Sequence, residues 1–366
     1  MVSTFPPTRC GIARFASSFV HEMSIVDPSL EVSVVRLLSD TSPTLLAPSV
    51  VMEIDPTTSV GVRAAGRLLS DCDVAVVQHE FGLYGGNEGE SVVELLEAIE
   101  TQRIVVLHTV LPDPNDRQRE LTRKLGEEAT TVVLCRSAAD LLEQRYSIPR
   151  ETVAVIPHGA SWSAEPANPP PRRQLISWGL LGPGKGIERS LLALAQLRSL
   201  DPPINYRVVG RTHPVVAAHS GTSYRLMLED MVRDLGLSDM VDFVDRYVAD
   251  DELRDLVRRS DLVVVPYDNH DQVSSGVITE AIGIGRPVVA TRFPYSEELL
   301  RSGAGLVADH DPGALAASLH LLLTDPTRYR EAAGAAAAMS AELSWARAAS
   351  QYSQLIRSLV PSAATA

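Results

Sequence analysis

Short apolar, β-branched runs recur along the chain and alternate with longer stretches in which apolar residues return every three or four positions. In the first half, 74–78, 104–108, 131–135 and 153–157 have the composition of strands buried on both faces, and helix-length segments such as 90–100 separate them. This alternation predicts βαβ units and a parallel sheet. The pattern stops at 161–173, a Pro-rich stretch without apolar periodicity, and resumes with 174–178, 206–210, 241–244, 262–266 and 287–290. The fold class is therefore α/β, with two doubly wound parallel-sheet domains at 1–165 and 166–345 and a helical segment at 346–366. The tail from 327 to 360 reads as helix nearly throughout, Ala-rich at 332–338, with Trp345, Tyr352, Leu355 and Ile356 spaced for one buried face. Residues 1–4 make only a strand fragment, shorter than a central parallel strand usually is, which predicts a natural start upstream.

Composition narrows the classes of function. The 366 residues carry a formal charge of −13, which argues against a general nucleic-acid or anionic-membrane surface. A local basic patch is compatible with a net acidic chain, so peripheral membrane contact stays open. No apolar stretch has the roughly 18–20 residues needed to span a bilayer. Cys10, Cys72 and Cys135 are scattered and show no CxxC spacing, so neither a disulfide framework nor a zinc site is expected, and a reducing cytoplasm fits best. Lys124 and Lys185 are the only lysines beside 31 arginines, which singles out each of them.

In open parallel sheets, ligands bind beyond the carboxyl ends of strands, where loops enter helix N-termini that offer free N–H groups and a partial positive charge. Four such loops stand out: 6–13, 179–186, 210–214 and 271–280. In GLLGPGKG (179–186), glycines allow close backbone approach to an anion and Lys185 adds a mobile charge. The loop nearly spells the nucleoside-triphosphatase motif GxxxxGK[ST], but Gly186 stands where the magnesium-binding hydroxyl belongs, and a plain turn with a solvated lysine is the simpler alternative. In DQVSSGVITE (271–280), Ser275 and Gly276 open a helix whose first N–H groups suit a diphosphate, and Glu280, one turn on, suits two ribose hydroxyls; a Ser-capped core helix with a solvated Glu280 is the alternative. His108 and His79 end strands, where an imidazole can donate to a substrate oxygen, move a proton or merely cap its own loop. His79-Glu80 is not HExxH, because position 83 is Leu.

Taken together, these residues resemble the nucleotide-sugar glycosyltransferases of family 4. The likeness covers nearly the whole chain and rests on Gly11 after the first strand, LHTV around His108, PHG at 157–159, GLLGPGKG, SGVITEAIGIGRPVVAT at 275–291, GLV at 305–307 and the closing LSWARAASQY. It implies the GT-B architecture, two Rossmann-like domains facing a cleft with the last helix crossing back to the N-terminal domain. It implies donor binding by the second domain, acceptor binding by the first, and hexose transfer from a GDP- or UDP-linked sugar to a hydroxyl with retention of configuration. No metal and no cofactor beyond the nucleotide-sugar co-substrate is implied. Carried over by position, Lys185 and the N–H groups of Ser275, Gly276 and Val277 hold the diphosphate and Glu280 binds the ribose. Gly11 lets the first loop approach the donor, His108 contacts the transferred sugar, and His79 and Glu80 fall on the acceptor side.

Two departures mark the chain. Leu180 replaces an arginine that the family usually carries directly after the first glycine of the phosphate loop, leaving Arg211 or Arg246 as substitutes. Gln272 replaces the first glutamate of the E-x7-E pair; it keeps hydrogen bonding to sugar hydroxyls but cannot carry negative charge. The expected catalytic set is thus His108, Gln272 and Lys185. Two alternatives remain: a catalytically silent nucleotide-sugar-binding protein and a phosphate-loop hydrolase. The sequence specifies neither acceptor nor oligomeric state.

Overall fold

The computed structural model describes residues 1–38, 47–161, 173–268 and 275–360. Its contacts group into two compact units, one containing the described residues of 1–159 and 345–360, the other those of 160–344. The first unit holds β1 (Val2–Ser3), β2 (Val34–Leu37), β3 (Val50–Ile54), β4 (Val74–His79), β5 (Gln102–Leu107), β6 (Thr130–Val133) and β7 (Val153–Val155). They form one sheet in the order β3-β2-β1-β4-β5-β6-β7, every pair parallel. The second holds β8 (Gln174–Trp178), β9 (Asn205–Val209), β10 (Val241–Val244), β11 (Leu262–Val265), β12 (Val288–Thr291) and β13 (Gly305–Ala308) in the parallel order β10-β9-β8-β11-β12-β13. Strand order reverses between β1 and β4 and again between β8 and β11, so each sheet has a switch point where loops diverge and leave a crevice at the strand ends.

The buried β-branched runs became strands because both of their faces are covered: all four residues of β11 and all four of β12 are buried. Leu191 and Leu194 of the helix Ile187–Gln196 pack with Leu315 and Leu319 of the helix Pro312–Thr324 in the second unit's core. In the first unit, the last helix, Trp345–Leu359, packs on Gly11–Val26. Trp345 meets Phe15 edge-on at 4.8 Å and Tyr352 meets Phe19 at 4.9 Å. Burying each such ring contributes roughly 1.5–3 kcal/mol. Asp27 then ties the helices together, accepting from Arg357 Nε (2.8 Å) and Nη2 (2.7 Å) and from Ser353 Oγ (2.5 Å).

Three strands escaped the pattern. β2 contains Arg36, which is buried because Nη1 pairs with Glu53 Oε1 at 2.7 Å and Nη2 donates to Thr8 Oγ1 at 3.0 Å, and a paired arginine interrupts an apolar run. β3 and β13 are only partly buried, so neither carries an unbroken β-branched run. The expected 90–100 helix shortens to Ser91–Glu97. The tail is not continuous helix: Pro326–Met339 ends before 340–344, where Ser340 Oγ donates to Gly283 O (2.6 Å), and a new helix starts at Trp345. No helix among the described residues is long and apolar enough to cross a membrane.

Candidate active site

At the switch point of the second sheet, β8 runs into the loop 179–186 and β11 into 266–268. The loop is held by its own backbone and by the β11 exit: Gly179 N–H donates to Val209 O (3.0 Å), Lys185 N–H to Gly182 O (3.1 Å) and Asp268 N–H to Gly184 O (2.9 Å). Gly186 has φ +65°, and a Cβ there would lie 1.8 Å from Pro266 O. A side chain there would force the turn to move, so this loop in its present form has no place for the serine or threonine of the triphosphatase motif. Gly210, at the end of β9, presses equally close, with its Cβ position 1.9 Å from Gly179 O.

A small pocket opens here, lined on one side by Trp178, Leu180 and Lys185 and on the other by Pro266, Tyr267 and Val277. Lys185 Nζ sits 4.3 Å from the centroid of the Tyr267 ring, which itself stacks on Phe293 at 5.8 Å. Val277 belongs to the first turn of the helix Gly276–Gly283, capped by Ser275, whose Oγ accepts from Ile278 N–H at 3.4 Å. The first N–H groups of a helix have no acceptor within it, so Gly276 and Val277 present donors at this end. Two loops far apart in sequence thus bring a cation and a helix N-terminus to one place. Glu280, only 3% exposed, accepts from Ser161 N–H at 3.0 Å. Arg211 is exposed beside the loop, its carbonyl accepting from Leu181 N–H (2.8 Å). Arg246 is engaged with Glu252, to which Nη1 donates at 2.8 Å. Gln272 lies outside the described residues.

In the first unit the corresponding strand ends carry histidines. β5 stops at Leu107, and His108 N–H donates to His79 O (3.0 Å) at the end of β4. His108 Nε2 bonds Gln78 Oε1 at 2.7 Å; an amide oxygen can only accept, so the ring carries its proton on Nε2. Burial, with His158 and His79 nearby, takes His108 down to about 3, and burial alone takes His79 down to about 4. Both imidazoles are neutral at pH 7, so a protonated general acid is not available from either. His79 is buried, neither ring nitrogen has a hydrogen-bond partner among the described residues, and its ring lies 5.2 Å from that of Phe81. Glu80 accepts from Thr109 Oγ1 (2.5 Å) and Phe81 N–H (3.0 Å), and burial raises its carboxyl above the ordinary value. Gly11 opens the helix Gly11–Val26, and a Cβ there would meet nothing within 4 Å.

Sequence reasoning singled out Lys185 and the Ser275 helix, which meet at this pocket, but not Tyr267, Gln78 or Thr109. An aromatic residue after a strand and polar residues flanking a histidine carry no spacing signal, and only the fold gives them partners. Among the described residues, no three metal-ligating side chains cluster.

Residues 160–339 match the family of group 1 glycosyl transferases. The D-inositol 3-phosphate glycosyltransferase of Kineococcus radiotolerans is 32% identical over 255 residues, covering 66% of this chain and 55% of that protein. That of Thermobifida fusca is 36% identical over 160 residues, 42% of this chain and 35% of that protein. The chain thus spans about half the length, or less, of these curated relatives. Sucrose-phosphate synthase from Thermosynechococcus elongatus superposes with a TM-score of 0.75 at 18% identity over 95% of this chain and 93% of that one. Anabaena HepE in complex with UDP and glucose gives 0.73 at 18% over 93% and 96%. Likeness at such low identity speaks for the fold, and the two doubly wound sheets are of GT-B type. The chain's similarity to the group 1 glycosyl transferase family is carried by segment 160–339.

Proposed function

We propose that the protein is a retaining glycosyltransferase that moves a hexose from a nucleoside-diphosphate sugar to a hydroxyl acceptor. The observation that carries this reading is the shared pocket of Lys185 and the first turn of Gly276–Gly283 at the switch point of the second sheet. Breaking a sugar–phosphate bond builds negative charge on the leaving diphosphate. A fixed cation and oriented N–H groups stabilise that charge more in the transition state than in the ground state. Ser275, Gly276 and Val277 supply the N–H groups, Lys185 the cation, and Arg211 a second, uncommitted one. Glu280 exchanges the Ser161 N–H for ribose hydroxyls. The chemistry needs neither a resident metal nor an organic cofactor, because leaving-group charge is met by the protein.

In this reading Gly11 leaves room for the donor, and His108, as a neutral donor or acceptor, bonds the transferred sugar together with Gln272. His79 and Glu80 belong to the acceptor side. The relatives' names point to a polyol acceptor and the UDP-bound neighbour to a uridine donor, so these are the first pair to test. A cytoplasmic location accompanies use of a nucleotide sugar.

The test is a thermal-shift panel of UDP, GDP and ADP and their hexose conjugates, since a ligand of the native state raises the melting temperature by mass action. It is followed by NMR of the anomeric proton of the product. The reading expects one base to be selected, an α-linked product from an α-linked donor, and turnover that survives chelation. An inverted product, or no shift with any nucleotide, refutes it. Leu180 in the pocket wall, where the resemblance leads one to expect a cation, favours a second reading, a nucleotide-sugar-binding protein without turnover. Binding without release of nucleoside diphosphate across an acceptor panel would establish that instead.

A further inference from the structure

The Lys185 ammonium has no hydrogen-bond or ion-pair partner among the described residues, although a carboxylate-bearing residue is its neighbour in the fold: Asp268, which follows Tyr267, donates its N–H to the carbonyl of Gly184, the residue preceding Lys185. That carboxylate is already taken. Arg189, in the first turn of the helix Ile187–Gln196, holds Asp268 Oδ1 at 2.6 Å and donates through the same Nη1 to Pro266 O at 2.9 Å. Its side chain is only 15% exposed, and one carboxylate and one backbone carbonyl hold it where it stands. The other nearby carboxylate, Glu188, accepts from Tyr224 Oη at 3.0 Å.

We propose that Arg189 is a positioning residue that shields Lys185. By occupying Asp268, it leaves the lysine resting on the Tyr267 ring as an uncommitted cation, ready for a diphosphate. A cation held over an aromatic face is attracted weakly and keeps its full charge, whereas one paired with a carboxylate has to break that pair before it can serve an anionic ligand. The arrangement therefore sets affinity for the diphosphate through a residue that does not itself meet the ligand. The choice of a diphosphate rests on the donor-site reading above, but the shielding itself is a property of the ligand-free protein.

The two-lysine composition makes the test direct. Reductive methylation with 13C-formaldehyde labels Lys124, Lys185 and the α-amine, and Lys185→Arg assigns the Lys185 signal, which carries the upfield displacement of a group above a ring. Arg189→Gln is expected to move that signal downfield as the ammonium leaves Tyr267 for the freed Asp268, and Arg189→Gln/Asp268→Asn to return it. Asp268→Asn alone leaves it in place. With inorganic pyrophosphate as probe, Arg189→Gln weakens binding about two- to fivefold, the size of a half-exposed ion pair, and the double variant recovers it. An unmoved Lys185 signal in a folded Arg189→Gln, a double variant that does not recover, or a loss with Asp268→Asn alone overturns the proposal, since a merely structural ion pair would fail in all three variants alike. Pyrophosphate that leaves the wild-type Lys185 signal in place overturns the donor reading alone, because the ligand-free signals test the shielding by themselves.

Discussion

Replacing Lys185 by methionine keeps an unbranched apolar stem against Tyr267 and removes only the charge, so its effect isolates what the ammonium does for a diphosphate. A hydrogen bond to a charged group contributes about 1.5–3 kcal/mol. In the free protein the ammonium already gains about 0.5–1 kcal/mol from the ring 4.3 Å away, which a ligand has to displace. The difference, about 1–2 kcal/mol, corresponds to a dissociation constant about 5- to 30-fold higher for the nucleoside diphosphate. Titration calorimetry with the base chosen by the thermal-shift panel measures it. Lys124→Met, in the helix Asp116–Glu128, makes the same change in net charge and serves as the control. A Lys185→Met protein with unaltered melting temperature and a dissociation constant within twofold of wild type would show that no diphosphate meets this lysine.

Three further outcomes follow from the geometry. Gly186→Ala, which forces a Cβ into the left-handed region and against Pro266 O, is expected to cost at least about 2 kcal/mol, seen as a lower urea midpoint; an unchanged midpoint contradicts the close approach. Asp27 is held well below the ordinary carboxylate range, chiefly by Arg357 and then by Ser353 and Ser29, so its stabilisation is present above about pH 4 and is lost as pH falls through the folded value. Asp27→Asn should therefore lower the melting temperature at pH 7, with the gap to wild type narrowing below pH 4; a gap that widens on acidification refutes the assignment. His79, neutral in the fold with a value of about 4 against about 6.5 unfolded, takes up a proton on unfolding between those limits, so stability falls as pH drops from 6.5 to 4. His79→Phe should make the melting temperature less sensitive to pH across that window in calorimetric scans, and an identical pH dependence rules the histidine out as a contributor.

Much of the architecture was legible because parallel strands buried on both faces leave unbroken β-branched runs, as in LVVV of β11 and VAVVQH of β4. β2 was hidden by Arg36, whose burial depends on Glu53 and Thr8, partners that no local pattern reveals. The break at 340–344 was equally silent, since Ser340 and the alanines before it read as continuing helix until the serine hydroxyl finds Gly283 O. At the site, the glycines and the rare lysine of 179–186 announced an anion loop, and the small residues from Ser275 a helix start. Their convergence was only an expectation, because it depends on the order in which β8 and β11 lie in the sheet. The perch of Lys185 on Tyr267 and the occupation of Asp268 by Arg189 were invisible, for both arise between residues about 80 positions apart whose types are individually ordinary. Arg246 shows the converse: its sequence position recommended it as a second cation, and Glu252 has claimed it.

The docking of Trp345–Leu359 onto Gly11–Val26 places the closing piece of the first unit after the whole of the second in the order of the chain. As the chain leaves the ribosome, the strip carrying Phe15 and Phe19 stays without its cover until more than 300 further residues have been made, so the second unit can be complete while the first still exposes aromatic surface. Dissection has to respect the same order: a fragment ending near Gly159 lacks that cover, and only a version that joins 345–360 back to it contains the whole of the first core.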